Sequence, residues 1–134
     1  MRTQIKITAL FAFMALFTTA QNTVTVTVTG LKSSKGNVML EMVNAKDKVV
    51  AQKVERISDK KSTIVLENVK PGTYAIRFYH DENNNQKMDT GTFGIPTEGY
   101  GFSNNARGFM GPPDLEDMLF EVKGNVTMTL KTKN

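Results

Sequence analysis

The 134-residue sequence contains no cysteine, no tryptophan and only one histidine. Without cysteine the chain has no disulfide framework, no thiolate metal site and no cysteine nucleophile. Hydrophobic residues make up 40% of the chain and charged residues 22%, which is typical of a globular protein and not of a disordered one. The length suits one ordinary domain, held together by its hydrophobic core alone.

The sequence also lacks a hydrophobic run long enough to span a membrane. Its longest apolar stretch, residues 7–17, follows two basic residues and ends before small residues at 18–20 that suit a signal peptidase. A membrane-spanning helix needs about 20 apolar residues, so this stretch is too short to be an anchor. We therefore expect residues 1–20 to be a cleaved signal peptide and residues 21–134 to be a secreted or periplasmic domain, without membrane insertion after cleavage.

Basic residues outnumber acidic residues only slightly. The chain has 17 basic and 13 acidic residues, and two of the basic ones lie in residues 1–20, which leaves 15 against 13 and a net charge of +2. The densest basic cluster is the pair Lys60 and Lys61, which is too small to neutralise a row of phosphates. We therefore expect no nucleic-acid partner.

Alternation of apolar and polar residues predicts seven short strands. Residues 23–29 read TVTVTVT, which places Val24, Val26 and Val28 on one face of a half-buried strand. The other predicted strands are residues 37–43, 48–54, 61–66, 73–79, 118–122 and 126–130. The last two are predicted to form a hairpin across residues 123–125, whose glycine and asparagine tolerate a positive φ.

This strand pattern predicts an all-β fold. Seven short strands with turn signals between them, and no helical period after residue 20, favour a single antiparallel β-sandwich of immunoglobulin-like or prealbumin-like type. A small closed barrel is the alternative. In the second and fourth strands the alternation directs five side chains into the core: Val38, Leu40, Met42, Ile64 and Leu66.

Residues 80–116, called the lobe below, show no strand pattern. The lobe holds six of the ten glycines and three of the four prolines, and loops of this length are usually functional or disordered. Its large apolar side chains would each cost roughly 1.5 to 3 kcal/mol if left in water, so we expect an ordered lobe that packs onto the sandwich. These side chains are Phe93, Ile95, Tyr100, Phe102, Phe109 and Met110.

The fifth strand and the lobe carry a family resemblance. The segments are PGTYAIRFYHDENNN at 71–85, KMD at 87–89, GIPTEGYGFSNNA at 94–106, and GPP followed by DLEDMLF at 111–120. Together they resemble the bacterial domain-of-unknown-function family 2141 over nearly all of residues 21–134. The resemblance implies a secreted, single-domain bacterial β-sandwich without an assigned activity. At Gln86 the sequence departs from the family, which usually has glycine there.

A shorter match concerns the start of the fifth strand. The residues PGTY at 71–74 are similar to the corresponding strand of transthyretin-like and carboxypeptidase-regulatory-like sandwiches. This similarity concerns architecture only, because a fold does not by itself establish a function.

The start of the lobe has the spacing of a calcium loop. Side-chain oxygens stand at positions 1, 3, 5 and 9, and the residue at position 7 would offer its backbone carbonyl; the five candidate ligands are Asp81, Asn83, Asn85, Lys87 and Asp89. Position 6 is Gln86 instead of glycine, and position 12 is Thr92 instead of a bidentate carboxylate. The alternative is an Asn/Asp-rich turn that bonds only to its own backbone.

Candidates for catalysis are few. His80 lies beside Asp81, and Glu98 could pair with Asp81 or Asp89, but Ser103 lacks a nucleophile elbow. Tyr100 could form an aromatic platform with Phe102 or pack onto the sheet.

We therefore expect a secreted, non-enzymatic β-sandwich module that acts in binding or in cell-envelope structure. Its ligand would be a protein, peptide or glycan, and the 81–89 loop would bind Ca²⁺ weakly. The alternative function is a hydrolase that uses His80 with Asp81 or Glu98.

Overall fold

A computed structural model describes residues 21–134. The predicted signal peptide, residues 1–20, lies outside the described residues. One turn of helix, α1 (Leu115–Met118), precedes the seventh of eight strands. The strands are β1 (Asn22–Thr29), β2 (Asn37–Asn44), β3 (Val49–Arg56), β4 (Ser62–Val69), β5 (Gly72–Asp81), β6 (Tyr100–Phe102), β7 (Phe120–Val122) and β8 (Val126–Lys131).

The strands form two separate sheets, as a sandwich requires. The smaller sheet has the order β4-β1-β8, and the larger has the order β3-β2-β5-β6. The short strand β7 also pairs with β5, through residues 72–74, whereas β6 pairs with residues 77–79. All pairings are antiparallel except that of β1 with β8, which is parallel. The all-β sandwich is confirmed, with eight strands instead of seven and one parallel pair.

The core between the sheets contains the residues that alternation selects. Val24, Val26 and Val28 are fully buried on the inner face of β1. The five predicted side chains of β2 and β4 are buried with them in one cluster, which confirms the sequence-based assignment: Val38, Leu40, Met42, Ile64 and Leu66. The eight strands of the described residues and this cluster lie within residues 22–131, and the predicted domain boundary at residue 21 stays a prediction.

The predicted hairpin between the last two strands is wrong. β7 joins the larger sheet beside β5, and β8 joins the smaller sheet beside β1, so residues 123–125 cross from one sheet to the other. β8 pairs with the free edge of β1 because this pairing places three apolar residues beside the inward valines of β1: Val126, Met128 and Leu130.

A second, smaller core covers the outer face of the larger sheet. Val43 of β2, Ala75 of β5 and Met118 of α1 are buried there, and Phe102 and Leu115 pack against them. The expected absence of helix is therefore wrong at α1, whose four residues are too few to show a helical period. None of the helices in residues 21–134 is long and apolar enough to cross a membrane.

The lobe is ordered, but much of its apolar surface does not pack onto the sheets. Tyr100 and Phe102 of β6 are half-buried, whereas the other four predicted packing residues are exposed: Phe93 by 96%, Ile95 by 64%, Phe109 by 93% and Met110 by 92%. The expected packing is wrong for these four. For Phe93 the reason is a tight turn, closed by a 2.7 Å hydrogen bond from the Gly91 N–H to the Ile95 carbonyl, that places the ring at its tip.

Candidate functional site

The lobe begins where β5 ends, at two buried residues. The His80 N–H donates to the Gly99 carbonyl at 2.7 Å, and its ring Nε2 lies 2.7 Å from the Lys35 carbonyl. Because a carbonyl can only accept, this Nε2 carries a proton. His80 therefore connects two other segments to β5: the loop before β2, through the Lys35 carbonyl, and the segment of the lobe just before β6, through the Gly99 carbonyl.

Asp81 shapes the loop that follows it. Its buried carboxylate accepts the Asn85 N–H at 3.1 Å through Oδ1 and the Gln86 N–H at 2.9 Å through Oδ2. The chain turns sharply here, with left-handed φ angles of 54° at Asn84 and 62° at Gln86. A carboxylate that accepts two backbone N–H groups replaces the water that those groups would otherwise bind.

The asparagines of the loop bond to the loop itself. Asn83 and Asn85 each accept a backbone N–H two residues later, at 3.2 and 3.0 Å. Their side-chain Nδ2 groups donate to the two oxygens of Asp89, at 2.6 and 2.7 Å. The self-bonded turn that was the alternative to a calcium loop is therefore formed.

Glu98 has a role that sequence reasoning missed. Its buried carboxylate accepts the Glu82 N–H through Oε2 and the Asp89 N–H through Oε1, both at 2.9 Å. One side chain thus holds the two ends of the 81–89 loop. The only sequence signal is an acidic residue among glycines nine positions after the loop, and spacing alone does not distinguish this role from a catalytic one.

The negative charges near the loop affect the pKa of Tyr79 on β5. Burial raises the pKa of Tyr79 above the usual 10.0, and the negative charges of Asp81, Glu98 and Asp89 raise it further. Three negative charges, two from the 81–89 loop and one from Glu98, therefore act on this end of β5.

The candidate calcium ligands lie in one turn, but their bonds limit the fit. A carboxylate oxygen that accepts one N–H keeps a second lone pair for a cation. A cation bound between Asn83, Asn85 and Asp89 would nevertheless have to displace the two amide donors from Asp89. Within residues 21–134 no three aspartate, glutamate or histidine side chains come close enough together to hold one metal ion, so amide and backbone oxygens, including the Lys87 carbonyl, would complete the shell.

The candidate catalytic residues are joined to the backbone and not to one another. His80, Asp81 and Glu98 make the contacts given above, and no side-chain hydrogen bond links them within residues 21–134. The buried Ser103 hydroxyl accepts the Ile76 N–H at 2.9 Å and donates to the Met118 carbonyl. These groups hold elements together.

The aromatic pair of β6 lies on the outer face of the sheet. The rings of Tyr100 and Phe102 meet edge to face, with centroids 5.8 Å apart, and Lys133 Nζ lies 6.0 Å from the Tyr100 centroid. Between them Gly101 faces inward, where an added Cβ would come within 2.4 Å of the Phe78 ring. Phe102 packs against the outer core, so only Tyr100 is left for the predicted aromatic platform.

Comparison with known proteins places the chain in one family. No curated protein and no solved structure matches the chain, and the weaker similarity to transthyretin-like and carboxypeptidase-regulatory-like sandwiches stays a prediction. A bacterial family matches residues 26–129, which includes β5 and the lobe. The chain therefore belongs to the family described as "Uncharacterized protein conserved in bacteria (DUF2141)".

Proposed function

We propose that the protein is a secreted, non-enzymatic β-sandwich module that acts in binding or in cell-envelope structure through the lobe. One observation carries the proposal: buried carboxylates hold the 81–89 loop of the lobe in a fixed shape, while four of the lobe's large apolar side chains stay in solvent. A loop that is ordered on a rigid sheet and exposed at its tips is the usual arrangement of a binding surface. The expected protein, peptide or glycan ligand stays a prediction.

Weak calcium binding in the 81–89 loop is part of this proposal. The loop supplies two carboxylates, two amide oxygens and the Lys87 carbonyl at the expected positions, and a cation must displace two hydrogen bonds from Asp89. Affinity in such loops falls with ligand charge, so we expect a dissociation constant on the order of 10⁻⁴ to 10⁻³ M, as in extracellular modules.

The hydrolase alternative has less support. A general base needs a proton to abstract and a nucleophile within hydrogen-bond reach, and the Nε2 of His80 donates to the Lys35 carbonyl instead. The Ser103 hydroxyl is likewise held by two backbone groups.

A screen of ester, peptide and glycoside substrates tests the non-enzymatic proposal. The variants are His80→Gln, which keeps an N–H donor for the Lys35 carbonyl, and Asp117→Asn as an exposed control. We expect no turnover above the buffer rate for any form. Turnover that His80→Gln abolishes and Asp117→Asn retains would establish the hydrolase.

Secretion is tested through the N-terminus. We expect mass spectrometry of the exported protein to give a chain that starts at or near Gln21. Exported protein that retains residues 1–20 would overturn the cleaved signal peptide.

A further inference from the structure

Two turns of the lobe hold its most exposed apolar side chains. Phe93 and Ile95 lie on the first turn, and Phe109 and Met110 lie on the second; three of the four are more than 90% exposed. We call these four residues the tip surface. Single exposed apolar residues are ordinary, but a contiguous group on a small domain marks an interaction site.

The two turns adjoin. Phe93, Ile95 and Met110 line one cleft of about 420 Å³, together with Tyr100 and Lys133. Phe109 is the chain neighbour of Met110. The four side chains therefore project from one continuous region beside the outer edge of β6.

Two residues of the tip surface have a strained backbone. Phe93 has a φ of 63° and Met110 a φ of 55°, in the left-handed region that disfavours bulky residues and suits glycine. A strained residue is usually compensated by packing, but both side chains lie in solvent. Folding alone therefore does not explain why large apolar residues occupy these turns, and strained exposed positions of this kind are typical of functional surfaces.

The border of the tip surface is basic. Arg107, Lys131 and Lys133 are exposed and line an adjoining cleft that shares Tyr100 with the first. No acidic residue lines either cleft, and none of the three basic side chains has an ion-pair partner within the described part of the chain. A partner that complements this surface therefore combines apolar groups with negative charges.

We propose that the tip surface docks on an anionic phospholipid bilayer. Projecting side chains can enter the interface of a bilayer without shape-matched pockets, and lipid phosphates meet the surrounding basic residues at the level of the headgroups. A peptide strand cannot add to the outer edge of β6 at Tyr100, because Tyr100 and Lys133 already exchange hydrogen bonds of 3.0 and 2.7 Å there. The inference rests on the proposed binding role of the lobe and names a lipid surface as the partner, in place of the expected protein, peptide or glycan ligand.

A fluorescence experiment tests docking at the bilayer interface directly, since the sequence has no tryptophan. Residues 21–134 with Phe93→Trp are mixed with vesicles of equal parts phosphatidylglycerol and phosphatidylcholine. We expect the emission to shift to shorter wavelength, and not with phosphatidylcholine alone. Val54→Trp, on the exposed side of β3, is the control and should not shift. An unchanged Phe93→Trp emission, or an equal shift with both vesicles, overturns the proposal.

Vesicle sedimentation tests the basic border. The triple replacement of the border residues by glutamine should lower the partition coefficient by about fivefold per charge, or about 100-fold in all. A matched triple replacement of exposed lysines elsewhere, Lys46, Lys48 and Lys70, should lower it only a few-fold. Equal losses for the two triples would overturn docking through this face.

The apolar tips are tested in the same assay. Phe93→Ser with Phe109→Ser should lower the partition coefficient roughly tenfold or more, whereas Val49→Thr with Val50→Thr on β3 should leave it unchanged. A dimer in solution that the serine pair dissociates, without vesicle binding by the wild type, would assign the surface to a second copy and overturn the lipid partner. That failure would leave the proposed function intact, because the proposed function fails separately on turnover that depends on His80.

Discussion

Gln86 shows how side-chain bonding overrides a local preference. The sharp turn at position 6 of the loop favours glycine, and the sequence has glutamine. The structure nevertheless forms the turn, with a φ of 62° at Gln86 and its N–H on Asp81 Oδ2 at 2.9 Å. The left-handed turn therefore forms here without glycine, at the cost of backbone strain.

Replacing this residue by glycine should stabilise the protein. Gln86→Gly removes the left-handed strain of about 1–2 kcal/mol and adds roughly 0.5–1 kcal/mol of backbone entropy cost, so the free energy of unfolding should rise by about 0.5–1 kcal/mol in urea denaturation. Lys87→Gly, one position later without a positive φ, should lower it by a similar amount. A loss of stability in Gln86→Gly would show that the strain is absent.

Tyr79 should make stability depend on alkaline pH. Burial and the charges of Asp81, Glu98 and Asp89 hold the pKa of folded Tyr79 above 10.0. As pH rises through 10.0 the unfolded chain releases this proton while the folded chain retains it, so the free energy of unfolding falls until the folded pKa is passed. Denaturation curves above pH 10.0 should show a steeper fall for wild type than for Tyr79→Phe. Equal slopes would contradict the raised pKa.

At the scale of elements, the long strands were predictable, and so was the short β7, which lies within the predicted strand 118–122, but β6 and α1 were not. β1 and β2 have eight residues each, and the alternation within them locates both strands and their faces toward the core. β6 has three residues and α1 has four, too few to show a period. The partner of β8 depends on which sheet edge is free, which is a property of the assembled sheets and not of the last two strands.

The Ser103 hydroxyl, one residue after β6, joins α1 to β5. Ser103→Ala would leave the Ile76 N–H and the Met118 carbonyl unpaired in a buried site, so the free energy of unfolding should fall by about 2–3 kcal/mol. Ser58→Ala, on an exposed turn, should change it by less than about 0.5 kcal/mol. Thermal or urea denaturation measures both; a loss below about 0.5 kcal/mol for Ser103→Ala would show that the bond carries little energy.

At the scale of the molecule, the sandwich presents the lobe at one end of its larger sheet. The spacing of Asp81, Asn83, Asn85 and Asp89 indicated a calcium loop, which stays a prediction. The self-bonded turn was its alternative, because Asx side chains reach backbone N–H groups two residues away. The clamp by Glu98 and the outward tips of the lobe were not predictable, since both depend on where distant segments meet after folding. The hydrogen bonds within the 81–89 loop thus follow from local sequence, whereas the clamp and the exposed tips follow from tertiary contacts.

The most direct test of the lobe as an ordered binding loop is a calcium titration followed by two-dimensional NMR of residues 21–134. We expect saturable shifts confined to the amides of residues 81–98, with a dissociation constant on the order of 10⁻⁴ to 10⁻³ M. Asp89→Asn should weaken the response and Asp117→Asn should not. Amide positions in that loop that stay unchanged in millimolar Ca²⁺, or that shift equally in other parts of the chain, would contradict the account.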